Sequence, residues 1–152
     1  QLMVASIEAR DPYTSGHSQR VARYAREIAR LVGLPARQIE RVEIAALLHD
    51  VGKIHEQFAH ILRKPGRLTD AEFAQMKLHP IRSAELVGKV SHFSDLVSSV
   101  RAHHETWDGR GYPDQLVGES IPVAARVIAL ADTIDAMTTS RPYRPGMTME
   151  EV

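Results

Sequence analysis

The stretch Ala45-Ala46-Leu47-Leu48-His49-Asp50-Val51-Gly52-Lys53 decides how the rest of the chain is read. It is an apolar helical run that ends in an imidazole, a carboxylate and, one turn on at i+3, an ammonium. A nitrogen and an oxygen ligand side by side, with a cation beside them, suit a carboxylate that bridges metal ions. In a chain with eight histidines and nineteen acidic residues, one such pair also arises by chance. Its company gives it weight: His17, His79, His103-His104 and Asp132 recur along the chain, each at the end of, or inside, a segment of helical periodicity.

Outward from that stretch the pattern stays helical. Upstream, a breaker cluster at Asp11-Pro12-Tyr13-Thr14-Ser15-Gly16 precedes a helix with Val21, Tyr24, Ala25, Ile28, Leu31 and Val32 on one face, which stops at Gly33 and puts His17 at its start. Pro35 fits the first turn of the next helix, in which Ile39, Val42, Ala46 and His49 share a face. Downstream, periodicity fades from His55 to Gly66, and Lys64-Pro65-Gly66 reads as a turn. Thr69 with Glu72 forms a capping-box pattern that opens a helix through Phe73 and Met76, ending near His79-Pro80. Ile81 to Val90 makes a short helix, and Leu96, Val97, Val100 and His104 define another. Residues 107–118 are too rich in Gly and Pro for regular structure and form a long loop, of the kind that often carries function. Pro122 opens the last helix, with Val123, Val127, Leu130, Ala131 and Ile134 expected on its buried side and Asp132 and Asp135 close to one face. No strand is convincing, so the expected fold is all-α: a compact multi-helix bundle with a metal cluster in its core.

Composition narrows the class. The chain has 152 residues, enough for one domain with a closed hydrophobic core. It is 43% hydrophobic and 25% charged, as soluble globular proteins are, and no apolar run approaches the roughly 18 to 20 residues that span a bilayer. Zero net charge argues against a nucleic-acid polymer or a membrane surface as partner, while leaving room for a local anion site. The absence of cysteine rules out thiolate metal sites and fits a reducing compartment. The opening Gln1-Leu2-Met3 and the ending Glu150-Glu151-Val152, which reads as the first turn of another helix, suggest a fragment of a longer protein.

Five histidines at helix ends together with Asp50 and Asp132 exceed what one tetrahedral zinc needs. Two six-coordinate ions need about twelve contacts, so a bridging Asp50 with bound waters would complete the shells, which suits iron or manganese. Adjacent histidines on a helix diverge by about 100°. Both His103 and His104 can therefore be ligands only if a cluster lies between them, and a solvated His104 is the alternative. His55, His60 and His92 have no such company. Asp135 is either a partner that orients a histidine or a surface acid. Arg141 and Arg144, just beyond the last helix, are either phosphate grips or solvated arginines in a turn. Motifs for a nucleophile elbow, a P-loop, dinucleotide binding or His-Glu-Xaa-Xaa-His metalloproteases are absent.

The segments Gly16-His17-Ser18, Leu48-His49-Asp50-Val51-Gly52-Lys53, Lys64-Pro65-Gly66-Arg67-Leu68-Thr69, His79-Pro80, His103-His104-Glu105, Trp107-Asp108-Gly109-Arg110-Gly111-Tyr112-Pro113, Ile121-Pro122, Ala131-Asp132 and Arg141-Pro142-Tyr143-Arg144 resemble the HD-GYP family, in that family's order and over nearly the whole chain. The His-Asp pair is shared with the wider HD phosphohydrolase superfamily. The His-His pair with the Gly-Tyr-Pro loop is far more specific. The resemblance implies a cytoplasmic bacterial signalling enzyme, a phosphodiesterase that opens cyclic di-GMP to linear pGpG or on to GMP, with two divalent metal ions. His17, His49, Asp50 and Asp132 would hold one ion, and Asp50 with His79, His103 and His104 the other. Lys53, Tyr112, Arg141 and Arg144 match positions associated with substrate, with Asp50 and Lys53 taking the catalytic roles. Relatives with a third ion carry a Glu where this chain has Tyr13, so two ions are expected. The stretch from Ile54 to Arg63 departs from the shorter family pattern, and the helices that usually follow the Arg-Pro-Tyr-Arg segment in the family are missing from this sequence. Other readings stay open at this stage: a module without turnover that contacts diguanylate cyclase domains through the Gly-Tyr-Pro loop, a phosphohydrolase of another nucleotide, and assembly as a homodimer.

Overall fold

The computed structural model describes residues 16–64, 66–139, 146–148 and 150–151. The first described helix, α1 (His17–Leu31), buries Val21, Ala22, Ala25 and Ala29 along one stripe. It packs on α2 (Ala36–Leu48), which buries Val42, Ala45 and Ala46, and on α7 (Val123–Thr138). Alanines at these contacts let the helix axes approach closely, because the side chains at the contact set interhelical separation. Val21, Ala25, Ala45, Ala46, Val100, Ile128 and Ala131 are fully buried and form the centre of the core.

Past α2 the chain tightens into a 3-10 turn, Val51–Ile54, against α5 (His79–Gly88). The approach is so close that a Cβ on Gly52 would lie 2.3 Å from Ser83 N and 2.6 Å from His79 O. Only glycine fits, and its N–H donates to Ser83 Oγ at 2.8 Å. The His-Asp pair is thereby held against the first turn of α5.

Between these elements the sequence expectation needs correction. Residues 56–62 are a 3-10 turn, Glu56–Phe58, running into the short α3 (Ala59–Leu62), with Phe58 fully buried and Ile61 nearly so. A helix of one turn is too short to show a period. The capping box of α4 (Asp70–Met76) forms as expected, with Thr69 and Glu72 reciprocally bonded. His79-Pro80 does not end that helix; it opens α5, where proline in the first turn costs no hydrogen bond. A 3-10 turn, Ser91–Leu96, leads into α6 (Val97–Arg101), so His103 and His104 stand in the turn after the helix rather than on it.

On α7 the buried stripe is Ala125, Val127, Ile128, Ala131 and Asp135, whereas Val123 and Leu130 are exposed. The Asp135 carboxylate lies on the buried stripe, so apolar residues alone do not mark the inward face of this helix. Among the described residues there is no strand, only an isolated bridge between Asp108 and Val117 at the base of the Gly-rich loop. No described helix is long and apolar enough to cross a membrane.

Candidate metal centre

Helix ends deliver the site. His17 opens α1, His49 and Asp50 fill the step from α2 into the Gly52 turn, His79 opens α5, His103 and His104 follow α6, and Asp132 lies on α7. They converge as two groups, His17-His49-Asp50 and His79-His103-His104, in each of which the ligand atoms lie within 4.8 Å of one another. Asp132 joins the first group, its Oδ1 3.4 Å from His17 Nε2. The two oxygens of Asp50 divide between the groups: Oδ1 is 3.2 Å from His79 Nε2, and Oδ2 is 3.4 Å from His49 Nε2 and 4.0 Å from His17 Nε2. His55, His60 and His92 belong to neither group.

The imidazoles are held in one tautomer by their surroundings. His49 Nδ1 donates to Ala46 O at 2.6 Å, His79 Nδ1 to Met76 O at 2.7 Å and His103 Nδ1 to Val100 O at 2.6 Å. A carbonyl only accepts, so each Nδ1 carries the proton and each Nε2 turns a lone pair inward. His17 Nδ1 is bound in the same way by Asp135 Oδ2 at 2.8 Å. Such outer partners are the usual means of orienting metal-binding histidines.

That arrangement leaves lone pairs without donors. His79 Nε2 faces His103 Nε2 at 3.3 Å. With both Nδ1 atoms protonated, no hydrogen bond joins them. Nor do His49 Nε2 and Asp50 Oδ1, both buried, have a hydrogen-bond partner in good geometry. At His79, His103 and His104 burial keeps protons from filling the gap. Burial above all holds His103 well below the ordinary histidine range; burial, then Lys53, lowers His79; burial above all takes His104 down to about 3. Neutral imidazoles aimed at a shared centre beside a carboxylate fit divalent cations.

Charge around the cluster is graded. Burial opposes ionisation of Asp50, but the Lys53 ammonium, 2.6 Å from Oδ2, holds it well below the carboxylate range. Burial also pulls His17 down, yet its bond to Asp135 and the charges of Asp50 and Asp132 carry it above the usual value.

One alternative in the sequence reading resolves here. Asp135 is no surface acid: it is 2% exposed and grips both His17 and Arg20, the latter through Nε at 2.6 Å and Nη2 at 3.2 Å. Arg20 was not singled out from sequence, although it stands one turn after His17. Glu105, also unread, is buried and accepts from the backbone N–H groups of Asp114 at 2.6 Å and Leu116 at 3.0 Å, fastening the 107–118 loop. Gly111 lies so tightly on the His104–Thr106 backbone that a Cβ there would be 2.4 Å from Thr106 N. Tyr112 thus sits over the site, its ring stacked on His104 at 4.8 Å and its N–H donating to His104 O. Burial, then Asp50 and Asp132, pushes its phenol up to about 12. Arg141, Arg144 and Tyr13 lie outside the described residues.

A His/Asp cluster held at helix ends in an all-helical bundle defines the class, and the chain belongs to the HD domain family, whose model matches residues 1–152. Within it the His103-His104 pair and the Gly111-Tyr112-Pro113 loop place it in the HD-GYP group. It is 41% identical over 150 residues to the cyclic di-GMP phosphodiesterase response regulator RpfG of Xanthomonas campestris pv. campestris, covering 97% of this chain and 39% of that protein. To 3'3'-cGAMP-specific phosphodiesterase 3 of Vibrio cholerae it is 40% identical over 145 residues, covering 95% and 31%. The cyclic di-GMP phosphodiesterase of Thermotoga maritima is 38% identical over 146 residues, with 95% and 39% covered. The chain therefore spans well under half the length of these relatives. Its fold matches an HDG"Y"P protein from Bdellovibrio bacteriovorus with a TM-score of 0.66 at 24% identity, over 80% of this chain and 40% of that one. A cyclic GMP-AMP specific phosphodiesterase of Vibrio cholerae matches at 0.65 and 20% identity, over 90% and 40%.

Proposed function

We propose that this chain is a metal-dependent phosphodiesterase domain that hydrolyses cyclic di-GMP to linear pGpG. The observation that carries this reading is the inward ring of histidine Nε2 atoms around Asp50, a donor set that suits cations. Relatives named as cyclic di-GMP phosphodiesterases support the substrate.

His17, His49, Asp50 and Asp132 would hold one divalent ion, and His79, His103 and His104, with the second oxygen of Asp50, the other. The nitrogen and oxygen donor set, without thiolate, suits iron or manganese. Bound there, such ions supply a nucleophile at neutral pH by lowering the pKa of water and neutralise phosphoryl charge.

The chain's own residues position the reactants. Lys53, fixed by Asp50, presents an ammonium at the edge of the cluster, where it orients the phosphate or balances its charge. Tyr112 covers His104. Arg141 and Arg144 would grip phosphate oxygens through charge-assisted bonds, so changing either to Ala should weaken cyclic di-GMP binding by about one to two decades with metal content unchanged. A cytoplasmic location follows from the substrate, a bacterial second messenger.

The test is chromatography of cyclic di-GMP digests, with 3'3'-cGAMP in parallel because some relatives are named for it, using protein purified without oxygen and analysed for metal. Accumulation of pGpG by metal-loaded protein is the expected result. Intact cyclic di-GMP after incubation with protein that carries metal would sink the reading.

A further inference from the structure

Lys77 caps α4 and belongs to no part of the cluster, yet its Nζ lies over two aromatic rings, Phe73 at 4.8 Å and Tyr112 at 5.4 Å. No carboxylate among the described residues forms an ion pair with it. Phe73 is 48% exposed, large and apolar on the same side, and Tyr112 continues the row inward to His104. The phenol of Tyr112 is close enough to feel the charges of Asp50 and Asp132. An aromatic ledge thus runs from the surface to the cluster, with one half-buried ammonium set among its rings.

We propose that Phe73, Lys77 and Tyr112 form a nucleobase subsite that selects guanine over adenine, an inference that rests on the cyclic-dinucleotide reading above. Aromatic faces take any base by stacking, since every base has a π-face. The ammonium discriminates. A lysine only donates, and the guanine edge presents two acceptors, O6 and N7, where adenine presents N7 beside an N6 amino donor that repels it. A phosphate could also occupy a lysine, but phosphate binding would not distinguish the two bases.

The test compares wild type with Lys77→Met, which keeps the aliphatic stem on Phe73 and removes the charge, and with Phe73→Ala. Three probes are used: turnover of cyclic di-GMP, competitive inhibition by cyclic di-AMP, and turnover of bis(p-nitrophenyl) phosphate, which carries no nucleobase. Lys77→Met should lower kcat/KM for cyclic di-GMP by about tenfold, mainly through KM, and leave the other two within about twofold. Phe73→Ala should weaken both dinucleotides and spare the small diester. Equal losses on cyclic di-GMP and cyclic di-AMP in Lys77→Met would overturn the guanine assignment, as would a parallel fall on the small diester. Wild-type protein that carries metal and turns over the small diester, but neither cleaves cyclic di-GMP nor binds cyclic di-AMP, would overturn the underlying reading and the subsite with it.

Discussion

His79 and His103 come from separate segments, yet their Nε2 atoms meet at 3.3 Å while each Nδ1 is committed to a carbonyl three residues earlier. Two lone pairs at that distance repel unless a cation stands between them. The cluster is therefore strained toward binding, and metal should stabilise the fold. Manganese at about a hundredfold its Kd should add about 2.7 kcal/mol, or about 5 to 10 °C in Tm for a chain of this size. Thermal unfolding of chelated protein with and without added Mn2+ measures it, and an unchanged Tm would mean the imidazoles bind nothing.

Asp50 is the residue whose two oxygens face both groups. Asp50→Asn keeps its shape and removes the charge that would be shared. We expect loss of bound metal and of hydrolysis with helical circular dichroism largely kept, and two ions per wild-type chain, because Tyr13 is a poor replacement for a carboxylate ligand at neutral pH. Elemental analysis of both proteins checks this. Two ions retained in Asp50→Asn, or three in wild type, would refute the bridging scheme or the ion count respectively.

Asp135 should act on metal affinity without touching metal. Its carboxylate fixes His17 through Nδ1 and is itself clamped by Arg20. Asp135→Asn should weaken binding by about 10- to 100-fold, as loss of such outer partners does. Competition against a chromophoric chelator gives the Kd, and an unchanged Kd would reduce Asp135 to a tie between α1 and α7.

How far the sequence could be read depended on whether local pattern and tertiary role agreed. The capping box at Thr69 and Glu72 is a local device, and it formed as written. Six of the seven candidate ligands sit at or just past helix ends, which Gly and Pro punctuate, while Asp132 lies inside α7. Phase on α7 was legible only in part: Val127 and Ala131 are buried as expected, but Asp135 is buried too, and Val123 and Leu130 are exposed. His79-Pro80 looked like a stop because proline disfavours helix in the residue before it, whereas here the pair lies in a first turn. Phe58, Arg20 and Lys77 act through neighbours distant in sequence or in elements of one turn, where periodicity carries no signal.

Gly52 is the hinge of the assembly in a steric sense. A methyl there would strike the α5 backbone at Ser83 and His79 rather than a flexible side chain. Gly52→Ala should push α5 away, at about 1 to 3 kcal/mol, and carry His79 off Asp50. Ser83→Ala, which loses only the hydrogen bond to Gly52 N, should keep metal binding. Urea unfolding with metal analysis compares the two, and a Gly52→Ala protein with wild-type stability and metal content would contradict the packing argument.

Tyr112 separates covering the site from binding substrate. Its ring lies on His104, and its backbone is tied to His104 O while Glu105 holds the loop just beyond it, at Asp114 and Leu116. Tyr112→Phe preserves the stack and should stay within about threefold of wild type on every substrate, because a phenol pushed up to about 12 is not a proton donor suited to neutral pH. Tyr112→Ala uncovers His104 and should lower turnover of both cyclic di-GMP and bis(p-nitrophenyl) phosphate, with the larger loss on cyclic di-GMP, where an aromatic contact with the base is worth about 1 to 3 kcal/mol in addition. Steady-state kinetics of the two variants on the two substrates give four ratios. Full activity of Tyr112→Ala on the small diester would show that the ring serves the base alone, and a severe defect in Tyr112→Phe would shift the role from the ring to the hydroxyl.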